Sequence, residues 1–162
     1  MHERGICHAD MSLENCLVDT ARANAFIIDF GMCVAMPMDE HGRRFMSVPD
    51  KRRAKPSYCS PEAFKEKEYD GVKVDVFAAG AMLFMMLTGF PPFQSATRVD
   101  NHFRRLVWNG DVQGLLRSFR APPMDNKAAD LVRRMMAYKA EDRPLPEQVL
   151  AHEWMNAAPA AV

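Results

Sequence analysis

The chain has 162 residues, with 21 basic and 21 acidic side chains and no formal net charge. Hydrophobic residues make up 48%, enough for a core of ordinary size, so wholesale disorder is excluded. The balanced charge excludes a broad electrostatic footprint for nucleic acid. Cys7, Cys16, Cys33 and Cys59 form no CxxC pair, which argues against a zinc ribbon or disulfide scaffold and for a reducing, intracellular and cytoplasmic setting. The longest apolar run, Val76 to Leu87, has twelve residues, short of the roughly 20 needed to span a membrane.

In chain order, MHERGICHAD reads as the end of a helix or a loop entering a site, so the chain is expected to begin inside a domain. Cys16 to Asp19 and Phe26 to Ile28 flank the polar turn Thr20 to Asn24 and predict a small β-hairpin. Gly31 to Ser60 has no sustained period and carries Pro37, Gly42, Pro49 and Pro56, predicting a functional or mobile loop of roughly 30 residues. Asp75 to Leu87 predicts a helix buried on all sides, stopped by Gly89 to Phe93. Val99, Phe103, Leu106 and Val107 fall on one face of a further helix, and Ala128, Leu131, Val132, Met135 and Met136 on another. Glu147 to His152 predicts a short last helix with Pro146 near its start, and residues 156–162 read as a tail. The thirteen methionines fall mostly on helix faces, as packing residues do.

Three strings carry chemistry when taken together: His8-Ala9-Asp10 followed by Met11 to Asn15, then Asp29-Phe30-Gly31, then Ser60-Pro61-Glu62. Alone, each reads as turn or cap residues. In this order and at these separations they resemble the catalytic loop, the DFG motif and the APE motif of eukaryotic protein kinases. The likeness continues through DVFAAGAMLFMMLTGFPPF, similar to the kinase F helix and its proline turn, and through EDRP and AHEWM near the end. It covers residues 1–155, with an activation segment at 29–62. The fold it implies is mainly α: a kinase-like C-terminal lobe with a short β-hairpin carrying the catalytic and metal-binding loops.

The resemblance implies roles residue by residue. Asp10 would orient the substrate hydroxyl and accept its proton, while Asn15 and Asp29 would offer oxygen ligands to Mg2+ on ATP. His8 and Phe30 match the hydrophobic spine. Leu17, Met82 and Met86 match positions that meet or support the adenine ring, and a core role is expected of them as well. Asp75, at the head of the buried helix, would accept hydrogen bonds from catalytic-loop backbone. Glu62 and Arg143 would form a buried ion pair that serves folding. The implied activity is a serine/threonine protein kinase with a protein substrate and no nucleic-acid or membrane partner. A truncated, catalytically dead docking module is the alternative, using the activation segment and Ala96 to Leu116 as surfaces. A metal-dependent hydrolase lacks a supporting His/Glu ligand cluster.

The sequence departs from the family in three places. Ala9 stands where an arginine usually reads the phosphorylated activation loop, so Ser47 and Ser57 are read as loop residues rather than switches. Ser12 stands where serine/threonine kinases carry a lysine on the γ-phosphate, and Glu14 where tyrosine kinases carry an arginine. Lys55 takes the place of the usual threonine beside the catalytic aspartate, so it is expected to supply the missing cation from across the cleft. The basic stretch Arg43, Arg44 and Lys51 to Lys55 is read mainly as solvated loop charge, with acidic substrates as the other possibility. Finally, these residues hold no glycine-rich phosphate loop, strand lysine or helix-C glutamate. A small lobe from a missing segment or partner would therefore be needed, and apolar surface of the buried helix should lie open.

Overall fold

The computed structural model describes residues 1–37, 40, 46–47, 55–65 and 68–157. Strand β1 (Ile6–Cys7) pairs antiparallel with β4 (Val34–Ala35). Strands β2 (Cys16–Asp19) and β3 (Asn24–Ile27) form the predicted hairpin, with Cys16 opposite Ile27 and Asp19 opposite Asn24. Strand β5 (Met46–Ser47) pairs with β6 (Glu68–Tyr69). The segment read as one loop thus contributes two short bridges and a 3-10 turn at Phe30–Met32. Two-residue strands have no periodicity to detect. Gly42, Arg43, Arg44, Pro49 and Lys51 to Arg53 lie outside the described residues.

The helices carry the core, as expected for a mainly α lobe. Helix α1 is Pro61–Lys65 and helix α2 is Gly71–Thr88. Helix α2 begins four residues before Asp75. Its true cap is Asp70, whose carboxylate accepts from the amides of Val72 and Lys73 at 2.9 and 3.3 Å, so Asp75 sits inside the first turns rather than at the head. At the other end Gly89 takes φ 75° and donates to Met85 O, the left-handed ending that glycine allows cheaply. By length and hydropathy alone α2 could cross a membrane, but 56% of it is buried inside this fold as a core helix. Its last turn is not enclosed: Met86 and Leu87 are exposed, which corrects the expectation of burial on all sides.

Helix α3 (Asn101–Phe103) runs into a widened π-type turn over Arg104–Trp108, where Asn109 N donates to Arg104 O. Phe103, Leu106 and Val107 are buried as their spacing predicts. Val99 is 89% exposed because Asp100 caps the helix after it. Helices α4 (Val112–Ser118), α5 (Asn126–Met135) and α6 (Pro146–Leu150) follow. Helix α5 buries Ala128, Leu131, Val132 and Met135 and turns Arg133 and Arg134 outward, the division expected of an amphipathic helix. Helices α2 and α5 meet at Gly80, where a β-carbon would lie 2.7 Å from Met136 Cγ and 2.9 Å from Met135 Cβ.

One large core centres on Phe77, Ala81, Phe84, Phe93, Phe103, Leu115 and Val132, and a smaller one joins Cys7, Met36, Tyr69 and Val74. An open groove of about 780 Å³ runs along α2, with Val76, Ala79, Met135, Val149 and Leu150 among its walls.

Candidate active site

The loop of residues 8–15 is held from below by α2. Asp75 is 5% exposed, and its carboxylate accepts from the amides of His8 at 2.8 Å and Ala9 at 3.0 Å. These bonds hold Ala9 at φ 63°, a region costly for a residue with a β-carbon. His2, which nothing in the sequence singled out, adds a 2.8 Å contact from its Nε2 to the same carboxylate. His8 is buried, with Nε2 3.1 Å from Ile28 O and Nδ1 accepting from Asp10 N at 3.3 Å. A carbonyl can only accept, so the proton sits on Nε2. His8 therefore ties the residue before Asp29 to Asp10 itself.

Asn15 completes the loop. Its Nδ2 donates to Asp10 O at 2.8 Å and to Asp10 Oδ2 at 3.0 Å. With both amide hydrogens engaged, its carbonyl oxygen remains for a cation. Asn15 O also accepts from Ile28 N at 2.9 Å, so Asn15 and Asp29 share one end of the β2–β3 hairpin. Asp29 is exposed at φ 62°, and its Oδ1 accepts from Gly31 N at 3.3 Å. An amide oxygen and a carboxylate fit Mg2+, which takes a few protein oxygens and fills its octahedron with water and phosphate. No cluster of three His, Cys, Asp or Glu suited to a metal occurs among the described residues.

Lys55 reaches across to the loop. Its Nζ donates to Ser12 Oγ at 2.7 Å and lies 3.7 Å from Glu14 Oε2. Lys55 thus sets its cation beside Ser12 and Glu14. Tyr58 supports this arrangement: its hydroxyl donates to Glu14 Oε2 at 3.0 Å and accepts from Leu13 N at 3.4 Å. Glu14 is held below the usual carboxylate range, first by its own backbone amide and then, against a desolvation penalty, by Tyr58 and Lys55. Burial pushes the Tyr58 phenol up to about 12, so it stays a proton donor. Tyr58 lies in the AKPSYCSPE string, but its partner is 44 residues away and no local pattern reveals it.

The His8 and Phe30 rings stack tilted at 5.6 Å, with Phe30 57% exposed. Leu17 is exposed as well, because β2–β3 is a two-stranded ribbon standing out from the core and β3 has no buried residue. Of Leu17, Met82 and Met86 only Met82 is buried, so the core role expected of Leu17 and Met86 is corrected. Glu62 and Arg143 do meet: Arg143 Nη1 and Nη2 donate to the two carboxylate oxygens at 2.5 and 2.8 Å, with both residues buried.

With this geometry in hand, comparison with known proteins identifies the class. The family model described as "Protein kinase domain" matches residues 1–155, and the chain belongs to the protein kinase family. It is 33% identical over 162 residues to the serine/threonine-protein kinase DCLK3 of Mus musculus, covering 96% of this chain and 19% of that protein. It is 33% identical over 157 residues to the CBL-interacting protein kinase 25 of Oryza sativa subsp. japonica, covering 96% of this chain and 28% of the relative. Against the calcium-dependent protein kinase 32 of Arabidopsis thaliana, identity is 32% over 168 residues, covering 99% and 28%. The chain thus spans less than a third of the length of these relatives.

Proposed function

We propose that this chain carries the phosphoryl-transfer residues of a serine/threonine protein kinase that uses Mg2+ and ATP and modifies a protein hydroxyl. The observation that supports this reading best is the shared hairpin end, where Asn15 is bonded to Asp10 and backbone-paired to the residue before Asp29. Asp10 orients the acceptor hydroxyl and takes up its proton as the new bond forms. Asn15 Oδ1 and the Asp29 carboxylate hold Mg2+, which when bound neutralises charge developing on the phosphates. Leu17, exposed on β2, offers an apolar surface to the adenine ring. Lys55 supplies the cation that Ser12 cannot, aimed by its bonds to Ser12 and Glu14.

These residues include no glycine-rich loop and no strand lysine, so the 162-residue chain by itself is expected to transfer no phosphate at a useful rate. The four cysteines are all free, which supports the intracellular, cytoplasmic setting. The test is calorimetric titration of the folded chain with ATP in the presence of magnesium. Saturable binding that is lost on removing magnesium and on Asp29→Asn is the expected result. Binding that is indifferent to both would remove Asp29 from its role and overturn the reading.

A further inference from the structure

A second cluster of charged and aromatic side chains lies among the helices, and it contains none of the residues assigned above to transfer. Arg98 lays its guanidinium 3.9 Å from the centre of the Trp108 ring. Trp108 meets Tyr138 edge-on at 4.4 Å. On the other side Lys65 Nζ donates to the Tyr138 hydroxyl at 3.0 Å. Hydrogen bonding from Lys65 first, and Arg98 after it, draws the Tyr138 phenol below its ordinary range. Tyr138 and Lys139 line two adjoining cavities of about 530 and 400 Å³, one reaching Lys65 and Lys73 and the other Trp108 and Arg133.

One cation here is bonded to a neutral phenol and a second lies on the ring that meets it, although cations are normally matched to anions. Among the described residues neither Lys65 nor Arg98 forms an ion pair with a carboxylate. The acids around them are engaged elsewhere or stand apart. Glu62 is bound by Arg143 and Asp70 caps α2, while Glu68, Glu141 and Asp142 sit on the cavity walls without pairing to either cation. Arg98 is held flat by its stacking on Trp108, so its fork is oriented before any ligand arrives. The tyrosine hydroxyl accepts from Lys65 and retains its own hydrogen to donate. Lysine, guanidinium and hydroxyl together present more donors, and more positive charge, than a single carboxylate uses. A phosphate monoester, with three free oxygens and close to two charges, matches the set.

We propose that Lys65, Arg98 and the Tyr138 hydroxyl form an oxyanion site that receives a phosphoserine or phosphothreonine of a partner protein. The aromatic pair Trp108 and Tyr138 forms its floor, and the adjoining cavities take the residues flanking the phosphate.

The test uses the whole 162-residue chain, with its fold checked by circular dichroism. Fluorescence anisotropy follows a labelled hexapeptide carrying one phosphoserine among alanines, beside its unphosphorylated twin. The phosphorylated peptide should saturate and the twin should not. Lys65→Gln and Arg98→Gln should each weaken binding about tenfold or more, and inorganic phosphate should compete. Arg117→Gln, on α4 outside the cluster, should leave affinity unchanged. If either glutamine variant loses its fold, Tyr138→Phe keeps the ring packing and should still weaken binding. Equal binding of the two peptides, or full affinity in the folded Lys65 and Arg98 variants, would overturn the proposal. Binding of inorganic phosphate without binding of the peptide would overturn the protein-borne source.

Discussion

Replacing Glu62 by alanine should remove a large part of the stability of this lobe. Arg143 is 2% exposed and makes five hydrogen bonds. Two go to Glu62, and the others to the carbonyls of Ala137, Lys73 and Tyr138 at 2.8, 3.0 and 3.3 Å. Its guanidinium also lies 4.8 Å from the centre of the Phe77 ring, inside the main core. Taking away the carboxylate leaves a charge that cannot reach water, a change that costs about 3–5 kcal/mol in buried pairs. The three carbonyls still solvate part of that charge, so a loss of about 3 kcal/mol is expected here. That is about a fifth to three-fifths of the roughly 5–15 kcal/mol that holds a domain folded. With a urea dependence of about 2 kcal/mol/M, the unfolding midpoint followed by circular dichroism should fall by about 1.5 M. Glu62→Leu combined with Arg143→Met should recover only part of this, because the three carbonyls then lose their donor. The coupling measured by the double-mutant cycle should still exceed about 1 kcal/mol. A Glu62→Ala midpoint within about 0.3 M of the parent, or a coupling near zero, would refute the reasoning.

Gly80→Ala tests the α2–α5 contact. The gain in helix propensity of about 1 kcal/mol opposes an overpacking cost of about 1–3 kcal/mol for a β-carbon placed within 3 Å of Met135 and Met136, so the melting temperature should fall. A rise would mean that the two helices separate freely. Lys55→Met, made in a chain that carries an entire kinase domain, should lower kcat on the order of a hundredfold, and unchanged turnover would exclude Lys55 from the reaction. Asp130 offers a pH test. Burial raises its pKa, but hydrogen bonds from Arg133, Arg134 and His152 outweigh this and bring it down to about 2. A carboxylate depressed on folding adds stability that is complete above its unfolded value of roughly 4 and disappears as pH falls through the folded one. Urea midpoints at pH 5 and pH 2.5 should therefore converge in Asp130→Asn relative to the parent, and an unchanged difference would show that the cluster contributes nothing.

The parts of this molecule legible in its sequence are those encoded locally. The hairpin at Cys16 to Ile27 shows as two apolar runs around a polar turn, and α5 as a 3.6-residue stripe from Ala128 to Met135. The proposed transfer residues Asp10, Asn15 and Asp29, and the supporting residues Glu62, Asp75 and Arg143, are legible because they stand in recognisable strings, and the structure brings the partners among them together. Lys55 was legible only through resemblance, as a cation in one string facing a gap in another, and it does reach Ser12. Asp75 opens the apolar run more conspicuously than Asp70, so the sequence pattern points away from the true cap of α2. Tyr58 and His2 touch the site through contacts spanning 44 and 73 residues, and no pattern in the chain announces contacts of that range. The same holds for Lys65, Arg98, Trp108 and Tyr138, which come from four separate segments and acquire a common purpose only when folded.

The two hydrogen bonds that Asp75 accepts from the amides of His8 and Ala9 have a consequence beyond holding a loop. They make the coordinates of Asp10 a property inherited from the interior. Whatever shifts α2, whether a cavity opened beside Phe77 or a clash at Gly80, also displaces Asp10. Random variation here therefore has little room to alter robustness without also moving Asp10, since the residues that keep the chain folded also position the aspartate proposed as the base. Laboratory selection for a sturdier variant would do better to work on the exposed faces of α4 and α5, which do not bear on that linkage.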